Sequence, residues 1–167
     1  HLRYFIHMKQ ERDAKWRSVK VIYSGHDTPG EGEHKIMEYI RVMKSLPGYS
    51  PNERHCLYGQ DADLIMLGLA THEPHFALLR EKVDFMAFRS QNKRAKGAET
   101  YSVGSSSDDF ELLHLSLVRE YLALEFSQTA EKLPFEFDLE RIIDDYVMLG
   151  FLIGNDFLPN LPLVDIG

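Results

Sequence analysis

Two pairs of acidic residues, each split by a single small residue, constrain the fold more than any other feature of the sequence. Each pair lies after a short apolar run typical of a buried β-strand. Carboxylates this close repel one another, so a fold that brings the pairs together needs a compensating positive charge. The pairs are Glu31 with Glu33 and Asp61 with Asp63, and the apolar runs before them are "VKVIYS" (19–24) and "HCLYG" (55–59).

Strand-like and helix-like patterns alternate along the chain. Helical periodicity is predicted for residues 1–18, after Pro29–Gly30, for 62–70 with Asp61 as its cap, for 117–127 and for 138–154. Further strands are predicted at "HFALLR" (75–80), "KVDFMAF" (82–88) and "ELLHLS" (111–116), the first apolar enough to be central. This alternation predicts an α/β domain with a mostly parallel central sheet flanked by helices. In such sheets functional groups collect beyond the carboxyl ends of the strands, where both acidic pairs are predicted to lie.

Composition sets the protein class. The chain has 167 residues, enough for one domain with a substantial core, and its 44% hydrophobic and 27% charged content is that of an ordinary globular protein. No apolar run approaches the roughly 18 residues that span a bilayer, so we expect no membrane partner. Cys56 is the only cysteine, which excludes an intrachain disulfide, fits a reducing compartment and predicts a small core residue. The net charge of −7 speaks against an extended nucleic-acid surface, but carboxylates of a metal site contribute to it.

Residues 90–109 have no apolar periodicity and are rich in Ser, Gly, Lys and Asn, which predicts a mobile loop or insertion. The preceding and overlapping stretch 85–98 carries four basic residues and no acid after Asp84. It is interpreted as a solvated loop, with contact to a phosphate backbone as the alternative.

Hard carboxylate ligands without a thiolate cluster favour Mg²⁺ or Mn²⁺ over Zn²⁺. Two such ions about 3.5–4 Å apart hydrolyse phosphodiesters, and this chemistry needs several carboxylates. The alternative is that the paired acids are first-turn helix residues stabilised by the helix dipole. A fifth candidate, Asp156, follows the last predicted helix, and an ordinary Asx turn is its competing interpretation.

Four separated segments closely resemble the Xrn family of 5′→3′ exoribonucleases, in the order found in that family. The resemblance covers nearly the whole chain except the 90–109 loop, and the third segment resembles the cytoplasmic branch more than the nuclear one. The segments are "SGHDTPGEGEHKIMEYIR", "RHCLYGQDADLIMLGLATHEPHFALLRE", "LLHLSLVREYL" and "DLERIIDDYVMLGFLIGNDFLPNLP".

The resemblance implies a PIN-like, flap-endonuclease-related α/β nuclease fold. It also implies processive removal of 5′-monophosphorylated nucleotides from single-stranded RNA during messenger-RNA decay in the cytoplasm. Two Mg²⁺ or Mn²⁺ ions would occupy the complete acidic centre. Carried over by position, the catalytic and metal-binding carboxylates are Glu31, Glu33, Asp61, Asp63 and Asp156.

The same resemblance implies that residues 1–167 form only part of the nuclease domain, with an upstream part absent. Two further aspartates, a basic pocket for the 5′-phosphate and a base-stacking aromatic residue are expected elsewhere in the polypeptide. The partners implied are the rest of that nuclease and RNA-decay factors, and the fragment alone is expected to be inactive.

Two rival functions stay open. A structure-specific DNA 5′ nuclease of the flap-endonuclease class uses similar acidic spacing. A catalytically dead scaffold for RNA or proteins is the rival from another class, although it has no physical need for five mutually repelling acids.

Overall fold

The computed structural model describes residues 1–82, 109–128, 130, 133–155 and 157–162. Within this part of the chain two compact units are distinguished, residues 1–40 and residues from 41 onward, and each is described by itself. The predicted strand 82–88, the predicted loop 90–109 and the basic stretch 85–98 lie outside the described residues, apart from Lys82 and Asp109.

The first unit contains helix α1 (Leu2–Arg12) and most of helix α2 (Gly32–Lys44). Helix α1 is shorter than the predicted 1–18, because the backbone becomes extended at Asp13, whose N–H still donates to the Lys9 carbonyl. A turn follows and folds back on the helix, where the Gln10 side chain donates to the Val19 carbonyl. Trp16 in this turn packs edge-on against Phe5, with the two ring centroids 6.2 Å apart.

The predicted strand at residues 19–24 is not formed. No strand among the described residues pairs with it, and its apolar side chains are exposed, Ile22 by 57%. β propensity alone does not make a strand, because the backbone hydrogen bonds of a strand come from a neighbouring strand.

The second unit is built on a three-stranded sheet of β1 (Arg54–Tyr58), β2 (His75–Glu81) and β3 (Phe110–His114), in the order β1-β2-β3. β2 is central, as its apolar sequence predicts. β1 runs parallel to β2, but β3 runs antiparallel, so the expectation of a mostly parallel sheet is met by one of the two described pairings. No helical pattern was predicted between β2 and β3, and a parallel pair needs a long crossover connection that is usually a helix.

The described part of the second unit also contains helices α3 (Leu64–Leu69), α4 (Leu115–Ser127) and α5 (Leu139–Ile153). α5 matches its prediction closely: the Asp138 side chain accepts from the Glu140 N–H at its start, and Gly154 with φ of 100° ends it. A β-carbon at this conformation would be strained, so glycine terminates the helix. α3 is shorter than predicted, and the residue before it is Asp63, so the prediction that Asp61 caps the helix is wrong.

The core of the second unit lies where the helices cover the sheet. Fully buried side chains come from α3, β2, α4 and α5, and α4 packs against both β2 and α5. Cys56 is exposed rather than in the core as predicted, because alternation along β1 buries Leu57 and turns its neighbour to the other face. The four largest buried side chains are Leu69, Phe76, Leu115 and Ile143.

Gly68 lies at a tightly packed point of this core. A β-carbon there would lie 2.4 Å from Leu115 Cδ1 and 3.3 Å from Phe76 Cε1, and both side chains are fully buried. We expect Gly68→Ala to lower the free energy of unfolding by about 1 kcal/mol, because overpacking costs about 1–3 kcal/mol and the helix-propensity gain is only about 1 kcal/mol. Urea denaturation measures it. Gly32→Ala is the control, since no atom lies within 4 Å of its β-carbon, and equal destabilisation of both variants would contradict the packing argument.

No helix in the described part of the chain is long and apolar enough to cross a membrane.

Candidate active site

The glutamate pair lies at the start of α2 in the first unit. Glu31 precedes the first helical residue and Glu33 follows it, so the roughly 200° divergence of positions i and i+2 inside a helix does not apply. Gly30 has a φ of 98°, a conformation that glycine adopts readily and residues with a side chain rarely do. It forms the turn that leads into α2. Lys35 donates to the Gly25 carbonyl at 3.3 Å and so ties the preceding loop to the helix.

The two glutamate side chains differ in their surroundings. Glu31 is exposed, and its Oε2 lies 3.7 Å from His34 Nε2, too far for a hydrogen bond. Glu33 is half-buried, and its side chain forms no hydrogen bond or ion pair with any described residue. Its carboxylate therefore has free lone pairs within the described structure.

The aspartate pair lies in the second unit, in the connection between β1 and α3. Gly59, two residues before Asp61, still donates its N–H to the Leu79 carbonyl of β2, so both aspartates come just beyond the carboxyl end of a sheet strand, as predicted. Asp63 occupies the N-cap position of α3, but its side chain caps no backbone N–H. An N-cap aspartate ordinarily accepts such a bond, so the helix does not use this carboxylate.

The donor chemistry of these pairs fits a hard divalent cation. Asp61 and Asp63 are exposed, and neither forms an ion pair or hydrogen bond through its side chain with a described residue. Unneutralised carboxylate oxygens are the ligands that Mg²⁺ and Mn²⁺ prefer. No group of three or more His, Cys, Asp or Glu residues suited to a metal ion occurs within the described ranges, so the five-acid centre stays a prediction.

Asp156 lies outside the described residues. The Oδ1 atom of Asn155 accepts from the N–H groups of Phe157 and Leu158 at 2.9 and 2.8 Å, as in an Asx turn. Asn155 therefore supplies the Asx-type hydrogen bonds at this turn.

A buried ionic cluster, which we call the Glu73 cluster, joins Glu73, Lys44, His55 and Tyr49 in the second unit. Glu73 is 3% exposed, and its two oxygens lie 3.0 Å from Lys44 Nζ and 3.2 Å from His55 Nε2. An ionised carboxylate only accepts, so His55 donates through Nε2. The Tyr49 hydroxyl lies 3.1 Å from the same nitrogen. This cluster links the residues after α2 and α3 to β1.

The Glu73 cluster shifts two titrations. Burial acts to raise the pKa of Glu73, but hydrogen bonds from Lys44 and Tyr49 and the nearby positive charges outweigh it, so the pKa lies below the ordinary value. Burial, together with the Glu73 carboxylate, raises the pKa of Tyr49 to about 12. Both shifts stabilise an ionised Glu73 beside a neutral Tyr49.

A second cluster joins α4 and α5 to the turn after α3. His72, which has a φ of 54°, places Nδ1 2.5 Å from Glu140 and Nε2 2.9 Å from Asp144. Arg119 also bonds Glu140. Burial acts to raise the pKa of Glu140, but Arg119 and His72 outweigh it and lower the pKa. The Asp144 side chain contacts His72 while 61% of it stays exposed to solvent.

Sequence patterns did not reveal either cluster. His72 and Asp144 are 72 positions apart, and no local spacing predicts such a contact. The one usable signal was an ionisable residue, Glu73, directly before Pro74 and a buried strand, and this position alone does not identify its partners.

Two family profiles match the chain. One, described as the XRN 5'-3' exonuclease N-terminus, matches residues 1–82, and one described as the Xrn1 helical domain matches residues 136–167. The first contains both acidic pairs and the second contains Asp156.

Curated relatives match over nearly all of the chain. It is 56% identical to 5'-3' exoribonuclease 1 of Homo sapiens over 97% of the chain and 9% of that relative. Against 5'-3' exoribonuclease 1 of Schizosaccharomyces pombe the identity is also 56%, over 96% of the chain and 11% of the relative. The identity to 5'-3' exoribonuclease 2 of Aspergillus fumigatus is 47%, over 99% of the chain and 17% of that relative.

The chain therefore spans about a tenth of the length of the first two relatives. Both profiles and all of these relatives belong to the same group of proteins. We conclude that the chain belongs to the XRN 5'-3' exonuclease family and represents part of its N-terminal region.

Proposed function

We propose that this chain supplies part of the acidic centre of a metal-dependent 5′→3′ exoribonuclease. The full-length protein would hydrolyse 5′-monophosphorylated single-stranded RNA to 5′-mononucleotides. The observation that carries the proposal is the 56% identity to 5'-3' exoribonuclease 1 along 97% of the chain.

The free carboxylates support a metal-binding role. Asp63 stands at a helix N-cap without capping it, and Glu33 is half-buried without a described partner. A half-buried carboxylate without a partner costs stability unless a cation compensates its charge, which applies to Glu33, whereas the exposed Asp63 carboxylate is simply free to bind one. Glu31, Glu33, Asp61, Asp63 and Asp156 would hold Mg²⁺ or Mn²⁺, with two ions in the complete centre. When bound, these ions would activate water and stabilise the leaving oxygen of the phosphodiester.

The protein groups around the glutamates have a positioning role. The Lys35–Gly25 hydrogen bond and the turn at Gly30 fix the approach to α2 and hence the start of the Glu31–Glu33 segment. On the aspartate side, the bond from Gly59 to Leu79 anchors the connection to the sheet. Fixed ligand segments reduce the entropy lost when the ions and RNA bind.

We also infer the type of nuclease fold and the cellular location of the protein. A parallel β1–β2 pair with acids beyond its carboxyl end is compatible with a PIN-like nuclease fold related to flap endonucleases. The higher identity to 5'-3' exoribonuclease 1 than to 5'-3' exoribonuclease 2 supports a cytoplasmic role in messenger-RNA decay.

The test compares substrates in the full-length protein. We expect Mg²⁺-dependent release of mononucleotides from the 5′ end of 5′-monophosphorylated single-stranded RNA, and at least about tenfold slower turnover of the same RNA with a 5′-hydroxyl. End-labelled RNA resolved on denaturing gels measures both rates, and EDTA should stop the reaction.

A length-matched branched DNA is the control substrate. Faster cleavage of the branched DNA would assign a flap-endonuclease-like activity instead. RNA binding without hydrolysis of either substrate, together with no saturable Mn²⁺ binding in calorimetry, would favour a scaffold.

A further inference from the structure

Positive charge is concentrated in the first 20 residues. They hold six Lys or Arg residues and two acids, whereas the whole chain carries a net charge of −7. This segment comprises α1 and the turn that follows it, both in the first unit. A local cationic region on an acidic protein calls for a physical account.

The turn after α1 is held in a defined conformation. Trp16 donates its N–H to the Asp13 carbonyl, Lys15 donates its N–H to Asp13 Oδ1 at 3.0 Å, and Gln10 donates to the Val19 carbonyl. The end of the helix and residues 13–19 therefore form one small folded element. Its basic side chains are displayed from a fixed backbone.

Some of the basic residues have structural partners. Arg3 pairs with Asp27 at 3.2 Å, and Lys9 approaches Asp13 at 3.8 Å. Arg17 donates to the Glu11 carbonyl near the C-terminus of α1, where a cation offsets the helix dipole. These three residues contribute to the local fold.

Arg12, Lys15 and Lys20 are different. All three are exposed, and none forms an ion pair or side-chain hydrogen bond with a described residue. They lie within nine positions of one another, around the end of α1 and the turn. Arg12 and Lys15 lie on this element and Lys20 directly follows it, so the three cations repel one another, and a polyanion would remove that repulsion.

We propose that Arg12, Lys15 and Lys20 form a phosphate-binding surface for the backbone of single-stranded RNA. This inference rests on the proposed function, which supplies RNA as the polyanion. The contact is independent of base sequence, because flexible cations on an exposed turn neutralise phosphates without reading base edges. The surface positions the RNA and takes no part in bond cleavage.

The test is the salt dependence of RNA binding by the full-length protein in EDTA, so that no RNA is cleaved. Each cation that neutralises a phosphate of a single strand contributes about 0.7 to the slope of log affinity against log salt. We expect the triple variant Arg12→Gln/Lys15→Gln/Lys20→Gln to lose about 2 from this slope. Fluorescence anisotropy with a labelled oligonucleotide at several salt concentrations measures it.

Arg41→Gln/Arg54→Gln/Lys82→Gln is the matched control, since these cations are also exposed and without an ion pair in the described ranges. Its slope should stay that of the wild type. An unchanged slope in the test variant, or an equal loss in the control, overturns the surface and would leave the cations to an acidic protein partner or to solvent.

Degradation of RNA by the wild-type protein in Mg²⁺ separates the two proposals. If the wild type degrades RNA while the triple variant keeps its slope, this inference alone fails. If the wild type neither binds nor degrades RNA, both proposals fail.

Discussion

In the full-length protein, Asp63→Asn is expected to lower the rate of 5′→3′ RNA degradation by about 100-fold or more. The substitution keeps the shape of the side chain and removes the negative charge that would bind a cation. Loss of several kcal/mol of metal-dependent transition-state stabilisation corresponds to a rate loss of this size. Single-turnover degradation of 5′-monophosphorylated RNA at saturating enzyme measures the rate of the chemical step.

The fold of the Asp63→Asn variant should be unaffected. The Asp63 side chain caps no helix N–H, and no described residue pairs with it, so its charge contributes no described contact to stability. Thermal unfolding without metal should therefore match that of the wild type, whereas Mn²⁺ binding by calorimetry should weaken.

Asp145→Asn makes the same chemical change at an exposed aspartate on α5 without a described ion pair. Its degradation rate should equal that of the wild type. An Asp63→Asn rate within about threefold of the control would remove this residue from the metal site.

Glu73→Ala is expected to lower the free energy of unfolding by about 3 kcal/mol at pH 7. The substitution leaves Lys44 and His55 facing a buried position without the carboxylate that both contact. Removal of one partner from a buried ion pair costs about 3–5 kcal/mol. Because the Lys44 side chain is 35% exposed, water solvates part of the remaining charge and the cost falls at the low end.

Glu81→Ala is the control on the neighbouring strand. Glu81 accepts a hydrogen bond from the Tyr58 hydroxyl at 2.6 Å, but the pair is exposed, so its loss should cost less than about 1 kcal/mol. Urea denaturation of both variants under one set of conditions gives the comparison. Similar destabilisation by the two substitutions would show that burial of the Glu73 cluster has no special effect.

The contribution of Glu73 to stability should depend on pH. A carboxyl whose pKa is lowered by folding contributes fully above its unfolded value, and the contribution is lost as the pH falls through the folded value. The difference between wild type and Glu73→Ala should therefore be complete at pH 7 and should shrink below the ordinary glutamate pKa of 4.5. The pH dependence that Tyr49 adds to stability has the opposite sign, because folding raises its pKa. Its contribution to the free energy of unfolding is complete below pH 10 and is lost as the pH rises towards about 12.

Patterns within one helix or strand predicted the local structure well. The bounds of α5 follow from Asp138 and Gly154, and the central position of β2 follows from its continuous apolar run. Those signals are local, since a cap or an apolar face depends on residues within a few positions. The direction of β3 and the unpaired run at 19–24 depend instead on which segments become neighbours, which no local pattern encodes.

In the candidate site, too, local patterns predicted some features, whereas others depend on contacts between distant segments. The position of Asp61 and Asp63 beyond β1 was predictable because strand and helix signals flank them. The contact of Asp144 could not be predicted, because it depends on His72 in a distant turn, where His72 has an uncommon positive φ. Which carboxylates have a protein cation beside them, and which do not, is information held by the tertiary structure.

The unpaired run at 19–24 has a consequence for handling the polypeptide. Its exposed apolar side chains, with no strand beside them among the described residues, resemble those of fibril-forming hexapeptides, which assemble by stacking identical copies. Lys20 is the only charge in the run and opposes such stacking by repulsion between layers. A residue placed to attract an anion thus also acts as a gatekeeper, and concentrated or high-salt solutions, which screen its charge, favour fibrils.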